Sequence, residues 1–168
     1  MIAGLLPWRP MTVSDLAAVK SLADTVHVAY PEDAAVFADR LARHPAGCFV
    51  LQGDGAPLGY VISHPWLYGQ PPALNSLLDR PALPPSTYYI HDLALMPAAR
   101  KTGAAAAIVA ILAAHAADLH LPNMTLVAVG NSVHFWRRQG FDTVIDPDLD
   151  RHLRSYDEHA VFMSRERP

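Results

Sequence analysis

A single cysteine among 168 residues, Cys48, excludes an internal disulfide and sets a reducing cytoplasm as the expected compartment. No apolar run approaches the roughly 20 residues that span a bilayer. Met1 to Leu6 is too short and uncharged to read as a signal peptide, so no membrane role is expected. Thirteen Lys and Arg against 16 Asp and Glu leave a net charge of −3, which gives no broad basic face for nucleic acid. The nine histidines include no H-E-x-x-H and no Cys/His pair, so no metal site is expected. An early G-x-G-x-x-G with an acidic ribose partner is also missing, which argues against a dinucleotide-binding fold. There are no internal repeats, no low-complexity tract and no domain boundary. A chain of this length buries about two-thirds of its unfolded surface around one core, so 1–168 reads as a single domain.

The most regular segment begins at Arg100-Lys101-Thr102-Gly103-Ala104-Ala105. Before it, Tyr88 to Leu95 has strand composition and stops at Met96-Pro97. After it, an alanine-rich helix runs from Ala104 to about His120, with Ile108, Ile111, Leu112, His115 and Leu119 at helical spacing. A turn in that setting faces the unpaired N–H groups and positive dipole end of a helix. With Gly103 for close approach and Arg100 and Lys101 for charge, it suits a pyrophosphate. A second apolar strand, Met124 to Val129, leads into Gly130-Asn131-Ser132-Val133-His134-Phe135-Trp136-Arg137-Arg138-Gln139-Gly140-Phe141. There Asn131 or Ser132 caps a short helix and Gly140 ends it in the left-handed conformation.

This pair of segments resembles the GCN5-related N-acetyltransferase (GNAT) superfamily. Its members carry Q/R-x-x-G-x-G/A after the fourth strand, then an Asn-led helix ending in aromatic–x–x–x–G-F. The resemblance implies an α+β fold with a mixed, mostly antiparallel sheet of about six to seven strands, flanking helices, and a splay between the fourth and fifth strands. It also implies an acetyl-coenzyme A cosubstrate. Arg100, Lys101, Thr102, Gly103, Ala104 and Ala105 would hold its pyrophosphate. Leu93, Ala94 and Leu95 would bond the pantothenate arm, and Asn131, Phe135 and Trp136 would complete the cofactor side.

The remaining elements fit that order. Leu5 to Arg9 reads as an edge strand interrupted by Pro7. Thr12 or Ser14 caps a helix to about His27, and Pro31 starts a second helix with Glu32-Asp33 as an ordinary acidic first turn. Cys48 to Gln52 and Leu58 to Ser63 are strands joined by Gly53-Asp54-Gly55-Ala56-Pro57. Phe141 to Ile145 and Ala160 to Ser164 close the sheet. Cys48 reads as core rather than nucleophile. His115 reads as a half-exposed helix residue, and Arg151 with Arg154 as charged surface. Between His64 and Thr87 lie six prolines with Trp66, Tyr68, Leu74, Leu77 and Leu78, and a one-turn helix is expected near Ala73 to Leu78. So long a connection is either a structural flap or a wall of the acceptor pocket, with Trp66, Tyr68 and Tyr89 on the acceptor side.

Acetyl transfer to an amine needs that amine neutral. An amine of pKa about 10.4 costs roughly 4–5 kcal/mol to deprotonate at neutral pH, so a positioned base is useful. His91 is the leading candidate, with Asp92 second. Ile90 to Leu95 is similar to the H-A-L-A-V segment of arylalkylamine acetyltransferases, whose two histidines lie two residues apart. His91 matches the second, and Tyr89 stands at the first. The other reading makes His91 a buried strand residue and Asp92 a loop-tethering carboxylate. Many GNAT enzymes place a tyrosine acid where this chain has Trp136, whose indole N–H supplies no proton. Either Trp136 shapes the pocket, or water, His134 or another tyrosine protonates the thiolate.

The reading is thus an acetyl-coenzyme A-dependent N-acetyltransferase working by direct ternary-complex transfer. The acceptor is a small amine or a peptide N-terminus, and mild acidity favours a cationic one. The chain could be a monomer or a homodimer. The alternative is a coenzyme A-binding sensor or partner module with little catalysis.

Overall fold

Glycine fixes the first hairpin at its tightest point. The computed structural model describes residues 7–154 and 157–167. In it, β2 (Cys48–Leu51) turns back antiparallel onto β3 (Gly59–Trp66), pairing Leu51 with Gly59 and Cys48 with Ile62. A Cβ at Gly59 would come 2.7 Å from the Ala94 carbonyl oxygen and 2.7 Å from Leu95 Cδ2, so only glycine fits there. β1 (Trp8–Pro10) lies along the other side of β2. The sheet has seven strands, ordered β1-β2-β3-β4-β5-β7-β6, where β4 is Thr87–Leu95, β5 is Asn123–Ala128, β6 is Asp142–Thr143 and β7 is Val161–Glu166. β4 and β5 are parallel, at Tyr88↔Met124 and Tyr89↔Thr125. The mixed, mostly antiparallel α+β sheet is the expected one.

Contacts divide the chain into two units. The first runs up to His64 and includes Ala73–Asp79 and His91–Leu112. The second comprises Pro65–Pro72, Arg80–Ile90 and the residues from Ala113 onward. In the first unit, α1 (Leu16–Val26) and α2 (Ala34–Arg43) carry Val19, Leu22, Phe37 and Leu41 into a core with Cys48, Val50, Tyr60, Ile62 and Ala94. Each such large side chain contributes about 1.5–3 kcal/mol by burial. Asp15 anchors the entry to α1, accepting the Thr12 N–H at 2.8 Å and two Arg9 nitrogens at 2.8 Å. Burial pushes the Cys48 thiol up to about 11, as befits core rather than nucleophile.

The second unit is built on β5 and β7, paired antiparallel over six positions from Asn123↔Glu166 to Ala128↔Val161. Leu149, Leu153, Ala160 and Phe162 form its core. α3 (Ala104–Asp118) begins in the first unit and ends in the second, and His115 on it is half-buried, edge-on to Tyr88 at 5.5 Å. α4 (Val133–Arg138) starts after Ser132, and Gly140 follows it at φ 90°, as expected. No helix among the described residues is long and apolar enough to cross a membrane.

Four expectations are corrected. Helix α2 starts at Ala34, not Pro31, because Asp33 is its extended N-cap and Glu32 is drawn elsewhere. Ala73 to Leu78 contains a turn and no helix, with Asn75 left-handed at φ 55°. The strand expected over Phe141 to Ile145 pairs only at Asp142–Thr143, and Ile145 is 88% exposed. α5 (Pro147–Leu153) was not foreseen, though Asp146-Pro147 is a helix-start signal; Asp146 caps it by accepting from Asp148 and Leu149 N–H. Met1 to Leu6, including Leu5 of the expected edge strand, lie outside the described residues.

Candidate active site

The C-terminal half of β4 brings a row of charge into an apolar unit. His91 and Asp92 are adjacent, and strand alternation sends them to different partners. His91 Nε2 lies 2.9 Å from Glu32 Oε1, with both side chains 7% exposed. Asp92 Oδ1 lies 2.7 Å from His27 Nε2, and Asp92 Oδ2 accepts a short hydrogen bond from the Tyr60 hydroxyl. Burial alone would raise the Glu32 carboxyl, yet the His91 contact and the Asn75 N–H hold it below its ordinary value. Glu32 is therefore an ionised acceptor for the Nε2–H of His91. Asp92 is likewise held low: burial opposes this, but His27 and Tyr60 outweigh it. His27 is lowered by burial and raised more by Asp92 and Glu32, so its net shift is upward. Burial and the two carboxylates push the Tyr60 hydroxyl well above its usual range.

Glu32 overturns its reading as an ordinary acidic first turn, since it precedes α2 and is 8% exposed. His27 and Tyr60 were also missed as members of a polar cluster. Their partners lie 32 or more residues away, and no local spacing announces them.

The Arg100 turn lies in the same unit. A 3₁₀ turn, Pro97–Ala99, leads into it, and Thr102 Oγ1 donates to Ala99 O at 2.6 Å while accepting the Ala104 N–H at 3.3 Å. Lys101 at φ 60° and Gly103 at φ 87° are both left-handed. A Cβ on Gly103 would meet nothing within 4 Å, so the turn opens outward at the start of the 15-residue α3. Arg100, Lys101, Thr102 and Gly103 are exposed, Ala104 is buried and Ala105 half-buried. Upstream, Leu93 is half-buried, Ala94 and Leu95 are buried, and Leu95 O accepts from Arg100 Nε at 3.2 Å.

The profile of the acetyltransferase (GNAT) family matches residues 16–141. The chain belongs to this family. Solved structures give this GNAT acetyltransferase the same fold. Ard1 from Thermoplasma volcanium is 15% identical with a TM-score of 0.72, covering 95% of this chain and 96% of that one. The NatC complex bound to Gag peptide and CoA is 18% identical at 0.71, covering 95% and 97%. The GphF GNAT-like decarboxylase in complex with isobutyryl-CoA is 16% identical at 0.70, covering 96% and 100%. One fold thus supports more than one reaction. No curated protein sequence matches the chain.

In the second unit of this acetyltransferase, Asn131 is exposed, Phe135 half-buried and Trp136 buried, its ring edge-on to Phe135 at 5.0 Å and Phe141 at 5.4 Å. Trp66 is half-buried and donates its indole N–H to Gln70 O at 2.7 Å. Tyr68 is 40% exposed and stacks edge-on with Phe162, while Tyr89 is 5% exposed. Among the described residues, no group of three or more His, Cys, Asp or Glu could hold a metal ion.

Proposed function

We propose that this protein is an acetyl-coenzyme A-dependent N-acetyltransferase that acts on a primary amine, either a small amine or a peptide N-terminus, by direct transfer. The observation that carries the reading is the buried His91–Glu32 pair on the strand that feeds the Arg100 turn. Bound acetyl-coenzyme A supplies an acetyl group activated as a thioester. Arg100, Lys101, Gly103 and the first N–H groups of α3 would hold its pyrophosphate, and the outward-open, left-handed Gly103 fits that duty.

The chain's own residues then handle the proton. Glu32 orients the imidazole of His91 through Nε2, and the imidazole is the group assigned to take a proton from the amine. Asp92, with both oxygens engaged by His27 and Tyr60, acts as a fixed charge rather than a second base. Two ionised carboxylates in this unit favour a cationic acceptor before deprotonation. The open aromatic face of Tyr68, with Trp66, is assigned to the acceptor side.

A panel of amines and N-terminal peptides, assayed by thiol release from acetyl-coenzyme A, tests this. The expected result is turnover with at least one amine and a ligand-induced rise in melting temperature. Gly103→Asp should lose that rise without unfolding, since aspartate tolerates the left-handed region but places a carboxylate at the anion site. Tyr68→Ala should raise KM for the amine and leave the cofactor-induced shift intact. A melting shift with no turnover across the panel would favour a coenzyme A-binding module instead.

A further inference from the structure

Residues 73–79 form neither helix nor strand, so their backbone groups must find partners outside the segment. They find them on α2 and the residues just before it. Leu78 N–H donates to Asp39 Oδ2 at 3.0 Å, Ser76 O accepts from the fully buried Arg40 at 2.9 Å, and Leu78 O accepts from Arg43. At the crest is Asn75, left-handed at φ 55°. Its Oδ1 accepts the Asp33 N–H at 2.7 Å, and its own N–H donates to Glu32 Oε2 at 3.0 Å. The other oxygen of Glu32 is the one at 2.9 Å from His91 Nε2.

We propose that Asn75 is a positioning residue for the reaction: by pinning the second oxygen of Glu32, the 73–79 segment fixes the carboxylate that orients His91 and sets its proton affinity. This rests on the reading of His91 as the base. A carboxylate held at one oxygen only can swing about its terminal torsion, which is broad and soft. Held at both oxygens, it presents one lone-pair direction to the imidazole. The left-handed backbone matters because it aims the Asn75 N–H, and asparagine is among the few side chains that adopt it readily. Among the described residues, the charged or titratable groups beside the pair and its Asn75 anchor include Asp92, its partners His27 and Tyr60, and Asp33, whose Oδ2 accepts from Asn75 Nδ2 at 3.4 Å. Of these, Asp33 is the one bonded to the Asn75 side chain, and Asn75→Gly isolates the loss of that contact from the loss of the backbone bond to Glu32.

Two variants separate the backbone from the side chain. Asn75→Val makes the left-handed conformation costly and should turn the N–H away from Glu32. Asn75→Gly keeps the conformation and loses only the Asp33 tether. The His91 ring titration, followed by NMR on the protein without ligand, should move to lower pH in Asn75→Val, and likewise in Glu32→Gln. The move in Asn75→Gly should be smaller. kcat/KM for acetyl transfer should fall about tenfold in Asn75→Val, its ascending pH limb following the titration. In a Glu32→Gln background, Asn75→Val should add nothing to either readout, because the group it acts through is gone. An unmoved His91 titration in a natively melting Asn75→Val overturns the proposal. So does an additive effect in the double variant. If Asn75→Val fails to fold, Asn75→Ala, which disfavours the left-handed backbone more mildly, stands in for it, and an unmoved titration in an Asn75→Ala whose residue-75 amide has lost its hydrogen bond by NMR overturns the proposal alone. A titration that moves while the rate profile stays fixed upholds the role of Asn75 and removes His91 as the base.

Discussion

Two imidazole–carboxylate pairs sit in the first unit, and they are built differently. His91–Glu32 is 7% exposed on both sides, and its carboxylate also takes a backbone N–H from Asn75. His27–Asp92 is 26% and 14% exposed, and its carboxylate also takes the Tyr60 hydroxyl. The difference lies in what each histidine is left to do. His27 has a raised proton affinity, with Asp92 and Glu32 both favouring imidazolium over the opposing burial, so it is biased toward the form that cannot accept a proton. Tyr60, pushed far up, stays a hydroxyl donor and locks Asp92 in place. One pair, with Tyr60, ties β4 to β3 and to the C-cap of α1. The other is an oriented imidazole on the same strand. A histidine beside a carboxylate is not a catalytic base by that fact alone.

The sharpest way to break this comparison is to exchange the roles by mutation. His91→Gln keeps a donor to Glu32 but has no basic nitrogen. It should lower kcat/KM by about 10²-fold or more and remove the ascending limb of the pH profile. His27→Gln should leave that limb in place and cost no more than a few-fold in rate. Steady-state kinetics from pH 5.5 to 9 on both variants measures this. Equal losses from the two variants would mean the pairs act as one relay rather than as a base and a strut.

The next effect is on stability, where the pairs should part in opposite pH directions. Glu32 and Asp92 have folded values below the ordinary 4.5 and 3.8, so their contribution is present above those values and is lost as pH falls through the folded ones. His27 has a folded value above 6.5, so its contribution is complete below 6.5 and fades as pH rises through the folded value. Urea denaturation from pH 3 to pH 9 should therefore show a maximum on the mildly acidic side of neutrality. Asp92→Asn leaves His27 and Tyr60 without their carboxylate and should cost about 1–3 kcal/mol at that maximum. It should also flatten the alkaline decline. Glu32→Gln should flatten mainly the acid side, with a lesser effect on the alkaline one through its charge on His27. If Asp92→Asn leaves the alkaline decline unchanged, His27 is not what drives it.

How much of this was legible in the sequence differs by range. The Arg100 turn, α3, the β2–β3 hairpin and Gly140 were all readable, because each is specified by residues within a few positions. His91 could be singled out on its strand. Its partner could not. Glu32 lies 59 residues away, and a local pattern of Pro-Glu-Asp before an apolar helical run reads as a first turn. The helix in fact begins three residues after Pro31, and the Glu32 side chain is bonded to β4 and to Asn75 instead. The 73–79 segment failed for a related reason. Its backbone is satisfied by Asp39, Arg40 and Arg43 of α2, which no periodicity within the segment can reveal.

The smallest expected effect concerns whether proton handling rests with His91 alone or also draws on α4. Resemblance to the family places an acidic tyrosine where Trp136 stands, so Trp136→Tyr is the natural restoration. The structure argues against a gain. Trp136 is 7% exposed, at the inner face of a six-residue helix, with its ring edge-on to Phe135 and Phe141. A smaller phenol there leaves unfilled space and a hydroxyl that needs a partner, each costing about 1 kcal/mol or more. The expected outcome is a melting temperature lowered by a few degrees and kcat within about twofold of the parent. Differential scanning fluorimetry and saturation kinetics on the same preparation measure both. A several-fold rise in kcat would show that a proton donor at this position limits the present enzyme, and would divide proton handling between the His91–Glu32 pair and α4.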